Sequence, residues 1–381
     1  MNKKTALNWD EIFIGRKEIV KKLLNARRDC FILGARRIGK TTLLKYLENK
    51  YLENSIPAFY ISIQGYLDYE KITRKIENAL RFKREQFKLP DVQAQNTSLF
   101  EFIEELDAKS QTTKIVFLID EAEQICKIDE KEPGFIDKFR NLVETLDNVV
   151  FMLAASPHIK KLVARSACSA FLSAFDNEIL PVMTKKEITE LIYAIAPGIT
   201  NDEIAGILHF THHQPYLVRI FLNKLIRNSK IQMPSQNLAQ DTYIANSLDG
   251  IFPNYFDGLM SEDQKIVRGI HEGTFQAGAQ DALKLRELAQ YGYLKHTNSG
   301  YRISNWFFEQ WLSGEDFSDE KDHSTVPLEP AVSKFKEIAE YFKEAANKLV
   351  VKIVLIILAV LAALLLGKKF KLLDKLLEWL F

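Results

Sequence analysis

The chain has 381 residues, with 51 Lys and Arg against 50 Asp and Glu, and three cysteines. Near-zero net charge excludes a globally basic nucleic-acid coat and an acidic disordered chain. Cys30, Cys126 and Cys168 follow no ligand or disulfide spacing; they exclude a disulfide scaffold and a four-ligand zinc knuckle and fit a reducing compartment. The length accommodates two or three domains with a real buried core.

Residues 1–10 are polar and carry no apolar h-region, so no signal peptide is expected there. Short apolar runs then alternate with helical patterns: Cys30–Leu33, Ala58–Ile63, Ile115–Ile119 and Val149–Ala154. This rhythm predicts an α/β fold built on a parallel, doubly wound sheet. The second half reads mainly helical until Tyr301–Ile303.

The first run leads into Gly34-Ala35-Arg36-Arg37-Ile38-Gly39-Lys40-Thr41-Thr42, a complete P-loop between a strand and a predicted helix. Gly34 and Gly39 let the backbone curl so that its N–H groups face phosphate oxygens. Lys40 is expected to neutralise the β- and γ-phosphates, and the Thr41 hydroxyl to ligate Mg²⁺. The third run ends in Asp120-Glu121-Ala122-Glu123. Asp120 is expected to hold Mg²⁺ through water and Glu121 to act as general base on the attacking water. That pairing favours hydrolysis over transfer to another substrate. Glu123 is expected to point away from the site. The fourth run ends at Ser156-Pro157; Ser156 is a candidate γ-phosphate contact at a strand tip, or simply a turn former. Arg165 is an arginine-finger candidate, with a solvated surface arginine the alternative.

These residues resemble the STAND-type P-loop ATPases, in particular the prokaryotic and archaeal branch related to AAA+ and origin-recognition ATPases. The likeness covers roughly residues 11–312. It rests on Phe13-Ile14-Gly15-Arg16 before the P-loop, on the Arg36-Arg37 form of the P-loop, on Asp120-Glu121-Ala122-Glu123, and on Thr211-His212-His213-Gln214-Pro215-Tyr216. The resemblance implies that Gly15 and Arg16 close over an adenine and that Pro215 packs against it. With no guanine-reading Asn-Lys-x-Asp motif in place, ATP is the expected nucleotide. His212 and His213 stand where the family has glycines, and His adopts positive φ poorly. A metal role for this pair with His209 is not favoured, because adjacent side chains are expected to diverge.

Residues 259–313 look like a winged helix, with a helix at Asp281–Gln290, a hairpin around Tyr301 and a last helix from Trp306. Between 261 and 312 its basic and acidic residues balance, which is poor ground for DNA affinity; a regulatory module is favoured. The expected domains are therefore an NTPase core at 1–180, a helical lid at 181–258 and the winged helix at 259–313. A charged linker follows at 314–330 and an amphipathic juxtamembrane helix at 331–348.

Leu349–Leu366 is apolar except for Lys352. At ~1.5 Å per residue it spans about 27 Å, enough for a transmembrane helix, placed at 349–367. Ala359, Ala363 and Gly367 share one face of it, a candidate close-packing surface. Residues 368–381 read as an interfacial amphipathic tail. The expected whole is a single-pass inner-membrane ATPase switch with cytoplasmic N-terminal domains. Its expected partners are ATP and ADP, membrane lipid through residues 349–381, further copies of itself when ATP is bound, and an unidentified protein trigger. STAND relatives suggest a defence or stress role. The alternatives are a membrane-tethered DNA-binding ATPase and an anchored remodelling motor.

Overall fold

The computed structural model describes residues 13–314, apart from 27, 67, 93–97, 112, 166–170, 228–229 and 232–250. Five parallel strands form one sheet in the order β2-β3-β4-β1-β5. They are β1 (Cys30–Leu33), β2 (Ala58–Ser62), β3 (Ile115–Asp120), β4 (Val149–Ala155) and β5 (Asp176–Ile179). Four match the apolar runs of the sequence. The fifth, Asp-Asn-Glu-Ile, has no such run; it lies at an edge of the sheet and its residues stay exposed or half-exposed.

Both faces of the sheet are covered, which is why the inner strands read as unbroken apolar runs. Phe31, Phe117 and Phe151 face one side; Cys30, Ile32, Val116 and Leu118 face the other. On that second side pack α1 (Lys17–Leu24) and α2 (Lys40–Glu53), through Leu23, Leu43, Leu44, Leu47 and Tyr51. The Tyr51 hydroxyl donates to the Leu23 carbonyl at 2.8 Å, tying the two helices together. The first side carries α3 (Tyr69–Phe87), α4 (Leu99–Ser110), α5 (Gln124–Lys131), α6 (Phe135–Thr145) and α7 (His158–Arg165).

Next comes a three-helix segment: α8 (Lys185–Ile195), α9 (Asn201–Thr211) and α10 (Pro215–Leu225). The sequence sets its helix starts. Thr184 with Glu187 and Thr200 with Glu203 form capping boxes that satisfy otherwise orphaned N–H groups. Beyond it lie α11 (Phe252–Phe256), α12 (Ser261–Glu272) and α13 (Ala282–Tyr291). An antiparallel hairpin, Leu294–Thr297 with Gly300–Ile303, and α14 (Trp306–Gly314) complete the described chain. Phe210 of α9 meets Trp306 and Phe307 of α14, so the last helix shares an apolar cluster with the three-helix segment.

The expected linker beyond Gly314, the juxtamembrane helix, the span at 349–367 and the tail at 368–381 lie outside the described residues. Among the described residues, no helix is long and apolar enough to cross a membrane.

One buried carboxylate sets the start of β4. Asp107 on α4 accepts from the backbone N–H groups of Asn148 and Val149, each at 2.7 Å, and of Asp147 at 3.3 Å. Replacing it leaves those donors without an acceptor. Asp107→Ala should lower stability by about 3 kcal/mol, read as a fall in urea midpoint at unchanged slope.

Candidate functional site

The strand order decides what meets at the carboxyl edge of the sheet. β4 lies between β1 and β3, so its end is flanked by the chain leaving each. On one side the Gly34 N–H donates to the Ala155 carbonyl at 3.2 Å. On the other the Ala122 N–H donates to the Ala154 carbonyl at 2.9 Å. The P-loop and the acidic turn after β3 are thereby pinned to either side of Ser156.

Gly39 ends the loop with φ 104°, a left-handed conformation open to glycine, and caps α2 without a side chain. The first N–H groups of α2 are left to bind an anion, aided by the helix dipole. The Lys40 ammonium turns back on the loop, donating to the carbonyls of Gly34 at 2.9 Å and Ala35 at 3.1 Å. Burial pulls its pKa down; the carboxylates of Glu123, Glu121 and Asp120 oppose that, in this order.

Thr41 and Asp120 come together as the sequence predicts: the Thr41 hydroxyl donates to Asp120 Oδ2 at 2.6 Å. The Tyr60 hydroxyl donates to the same oxygen at 3.0 Å, a contact the sequence did not signal. The Glu121 N–H donates to Asp120 Oδ1 at 3.0 Å. Asp120 is thus buried, oriented and able to hold a divalent cation beside Thr41. Glu121 sits half-buried at φ 61°. Burial raises its pKa, and the neighbouring Glu123 and Asp120 carboxylates add to this; both effects make its carboxylate a stronger base.

Glu123 departs from expectation. It faces the site rather than away from it, is only 6% exposed, and accepts from the Ser156 hydroxyl at 2.8 Å. Thr42 stands exposed on the first turn of α2. The side chain of Arg165, in the last turn of α7, lies outside the described residues.

Arg16 and Gly15 join the P-loop to the three-helix segment. The Arg16 side chain is buried and donates through Nη2 to the Ile38 carbonyl at 2.8 Å. Burial lowers its pKa to about 10, against the pull of Glu187. Its backbone N–H donates to Glu187 Oε1, so the capping-box residue of α8 also holds this turn. A Cβ at Gly15 would lie 2.8 Å from Glu187 Cβ, at φ 79°, so only glycine permits the approach. Pro215 opens α10, and next to it Tyr216 stacks under the Arg37 guanidinium, 4.3 Å from ring centre.

The His pair is also corrected in part. His212 takes φ 53°, the backbone that a glycine would supply more cheaply. The His212 and His213 rings stack at 4.4 Å instead of diverging. Burial lowers the pKa of His212 to about 3, with His213 and Lys295 adding to it. Among the described residues no cluster of three or more His, Cys, Asp or Glu is placed to hold a metal.

A P-loop on a five-stranded parallel sheet, with an acidic strand end beside it, defines a P-loop ATPase. Residues 14–219 match the family described as an ATPase domain predominantly from Archaea. The match spans more than half of the chain, which therefore belongs to that family. No curated protein sequence matches it. Among solved structures, the Walker-type ATPase PABY2304 of Pyrococcus abyssi is 14% identical with a TM-score of 0.54; the alignment covers 80% of this chain and 97% of that one. The Aeropyrum pernix ORC2 protein, solved as ADPNP-ADP complexes, is 13% identical with a TM-score of 0.48, covering 80% and 96%. At 14% identity the likeness to PABY2304 concerns the fold.

Lys40→Ala removes the ammonium that the Gly34 and Ala35 carbonyls hold at the loop. Nucleotide affinity should fall about 100-fold or more in a titration with a fluorescent ATP analogue; parental affinity would remove Lys40 from the site.

Proposed function

We propose that this ATPase is a membrane-anchored switch whose nucleotide state controls self-assembly and is passed to its C-terminal segment. ATP would lie along the P-loop, its phosphates on the backbone of residues 34–42 and on Lys40. Mg²⁺ would be held by Thr41 and, through water, by Asp120, and would neutralise charge on the phosphates. Glu121 takes the proton of the attacking water. Ser156 stands where a γ-phosphate would be sensed. Gly15, Arg16 and Pro215 form the adenine end, with α8–α10 as the lid and residues 259–313 as a winged helix in a regulatory role. This is the arrangement of a STAND-type ATPase.

The observation that carries this reading is the contact between the C-terminal module and the chain leaving the nucleotide site. α7 starts two residues after Ser156 and carries Lys160, which pairs with Glu287 on α13. The Val182 N–H, just past β5, donates to the Gln290 carbonyl at 3.0 Å. A movement at the tip of β4 would therefore bear on the module directly. The mixed charge of residues 261–312 supports a regulatory use over DNA binding.

Two experiments test the switch and the anchor separately. Full-length chain carrying Glu121→Gln, purified in mild detergent, should bind ATP, hydrolyse it at least about 100-fold more slowly, and grow from one species with ADP to a defined oligomer with ATP–Mg²⁺ by light scattering. One mass in both states refutes assembly. Removing residues 349–381 should release the protein from lipid vesicles in flotation; co-flotation of the shortened chain refutes the anchor.

A further inference from the structure

The third carboxylate of the acidic turn has a geometry that the roles of Asp120 and Glu121 leave unused. Glu123 belongs to the turn pinned to β4 by the Ala122–Ala154 hydrogen bond. One of its oxygens, Oε1, accepts from Ser156, itself only 1% exposed. The other, Oε2, is buried and has no hydrogen-bond donor. An ionisable side chain 6% exposed with an oxygen unmet is costly, and a donor that arrives during function would relieve that cost. Lys40 already spends two of its three N–H groups on the Gly34 and Ala35 carbonyls.

We propose that Glu123 orients the attacking water: Oε2 accepts one of its hydrogens while Glu121 takes the other, and Oε1 keeps Ser156 in place at the tip of β4. A water has two hydrogens, and a single acceptor leaves it free to rotate about one hydrogen bond. Two acceptors fix its lone pair toward phosphorus, which is where positioning lowers the barrier. In the step itself the water oxygen bonds to the γ-phosphorus and the bond from that phosphorus to the bridging oxygen breaks. The bridging oxygen keeps the electron pair. One proton passes to Glu121; the other stays on the new phosphate oxygen, released from Glu123. The inference rests on Glu121 being the base and is independent of whether the protein assembles.

The test is steady-state ATP turnover of the full chain in detergent, for Glu123→Gln, Glu121→Gln, Ser156→Ala and the Glu123→Gln/Ser156→Ala pair. Gln preserves the volume of Glu and an oxygen for Ser156, but presents an N–H₂ donor in place of the free acceptor. Glu123→Gln should lower kcat about 10- to 100-fold while KM, ATP affinity and melting temperature stay near parental. A packing role would instead move melting temperature and KM together. Ser156→Ala should lower kcat less, and the pair should be no slower than Glu123→Gln alone, since both act through one carboxylate. Additive losses overturn the link between the two. Loss of turnover in Glu121→Gln with a parental rate in Glu123→Gln overturns this inference and leaves Glu121 as base. A parental rate in Glu121→Gln overturns the reading of Glu121 on which it rests.

Discussion

A half-buried ammonium organises this molecule. Lys40 is partly withdrawn from water at the start of α2, and a charge moved toward a low-dielectric interior is costly unless polar groups meet it. Two loop carbonyls meet it directly. Three carboxylates stand around it, supplied by the end of β3 and the turn beyond. Loop and turn can surround one cation only because β4 separates β1 from β3 by a single strand. Burial and the same crowding raise the proton affinity of Glu121, because each carboxylate raises the cost of charging its neighbour.

The chain beyond β5 shows how the site is tied to the rest of the structure. Within four residues, Leu180 donates to Leu33 of β1, Val182 to Gln290 of α13, and Met183 to His213 before α10. One short extended segment therefore touches the sheet, the C-terminal module and the three-helix segment in turn. Arg37 stacked on Tyr216 joins the P-loop to those helices, and Arg16 adds a second link, its side chain on the Ile38 carbonyl and its backbone N–H on Glu187. A displacement of the loop has several short paths outward, each through a hydrogen bond or a stacked charge.

Four of the seven non-glycine residues with positive φ among the described residues lie in the same places. Arg16, Arg37, Glu121 and His212 all have positive φ without being glycine. Such residues cost free energy and persist where surrounding contacts over-determine them. Each of the four carries or adjoins a contact that joins two parts of the site. His212 is the clearest case, since its ring stacks on His213 while its backbone makes the sharp turn into α10.

Much of this was legible in the residue order. The P-loop and the Asp120-Glu121 pair are contiguous in sequence, and the chemistry of each depends on spacing along one segment. The inner strands β1, β3 and β4 announce themselves because both faces of a parallel sheet are buried, and the edge strand β2 is apolar enough to show as well. The helix starts at Thr184 and Thr200 follow from caps four residues long. Tertiary structure decided the rest. β5, at one edge, carries polar residues that stay exposed or half-exposed, so no local pattern marks it. Tyr60 reaches Asp120 only through the pairing of β2 with β3, and Glu123 reaches Ser156 only through the pairing of β3 with β4. Glu187 meets Arg16 across 171 residues of chain. Local spacing determines which chemistry a segment can carry; which side chains share a buried, low-dielectric space is settled by strand order and packing, and no local pattern encodes that.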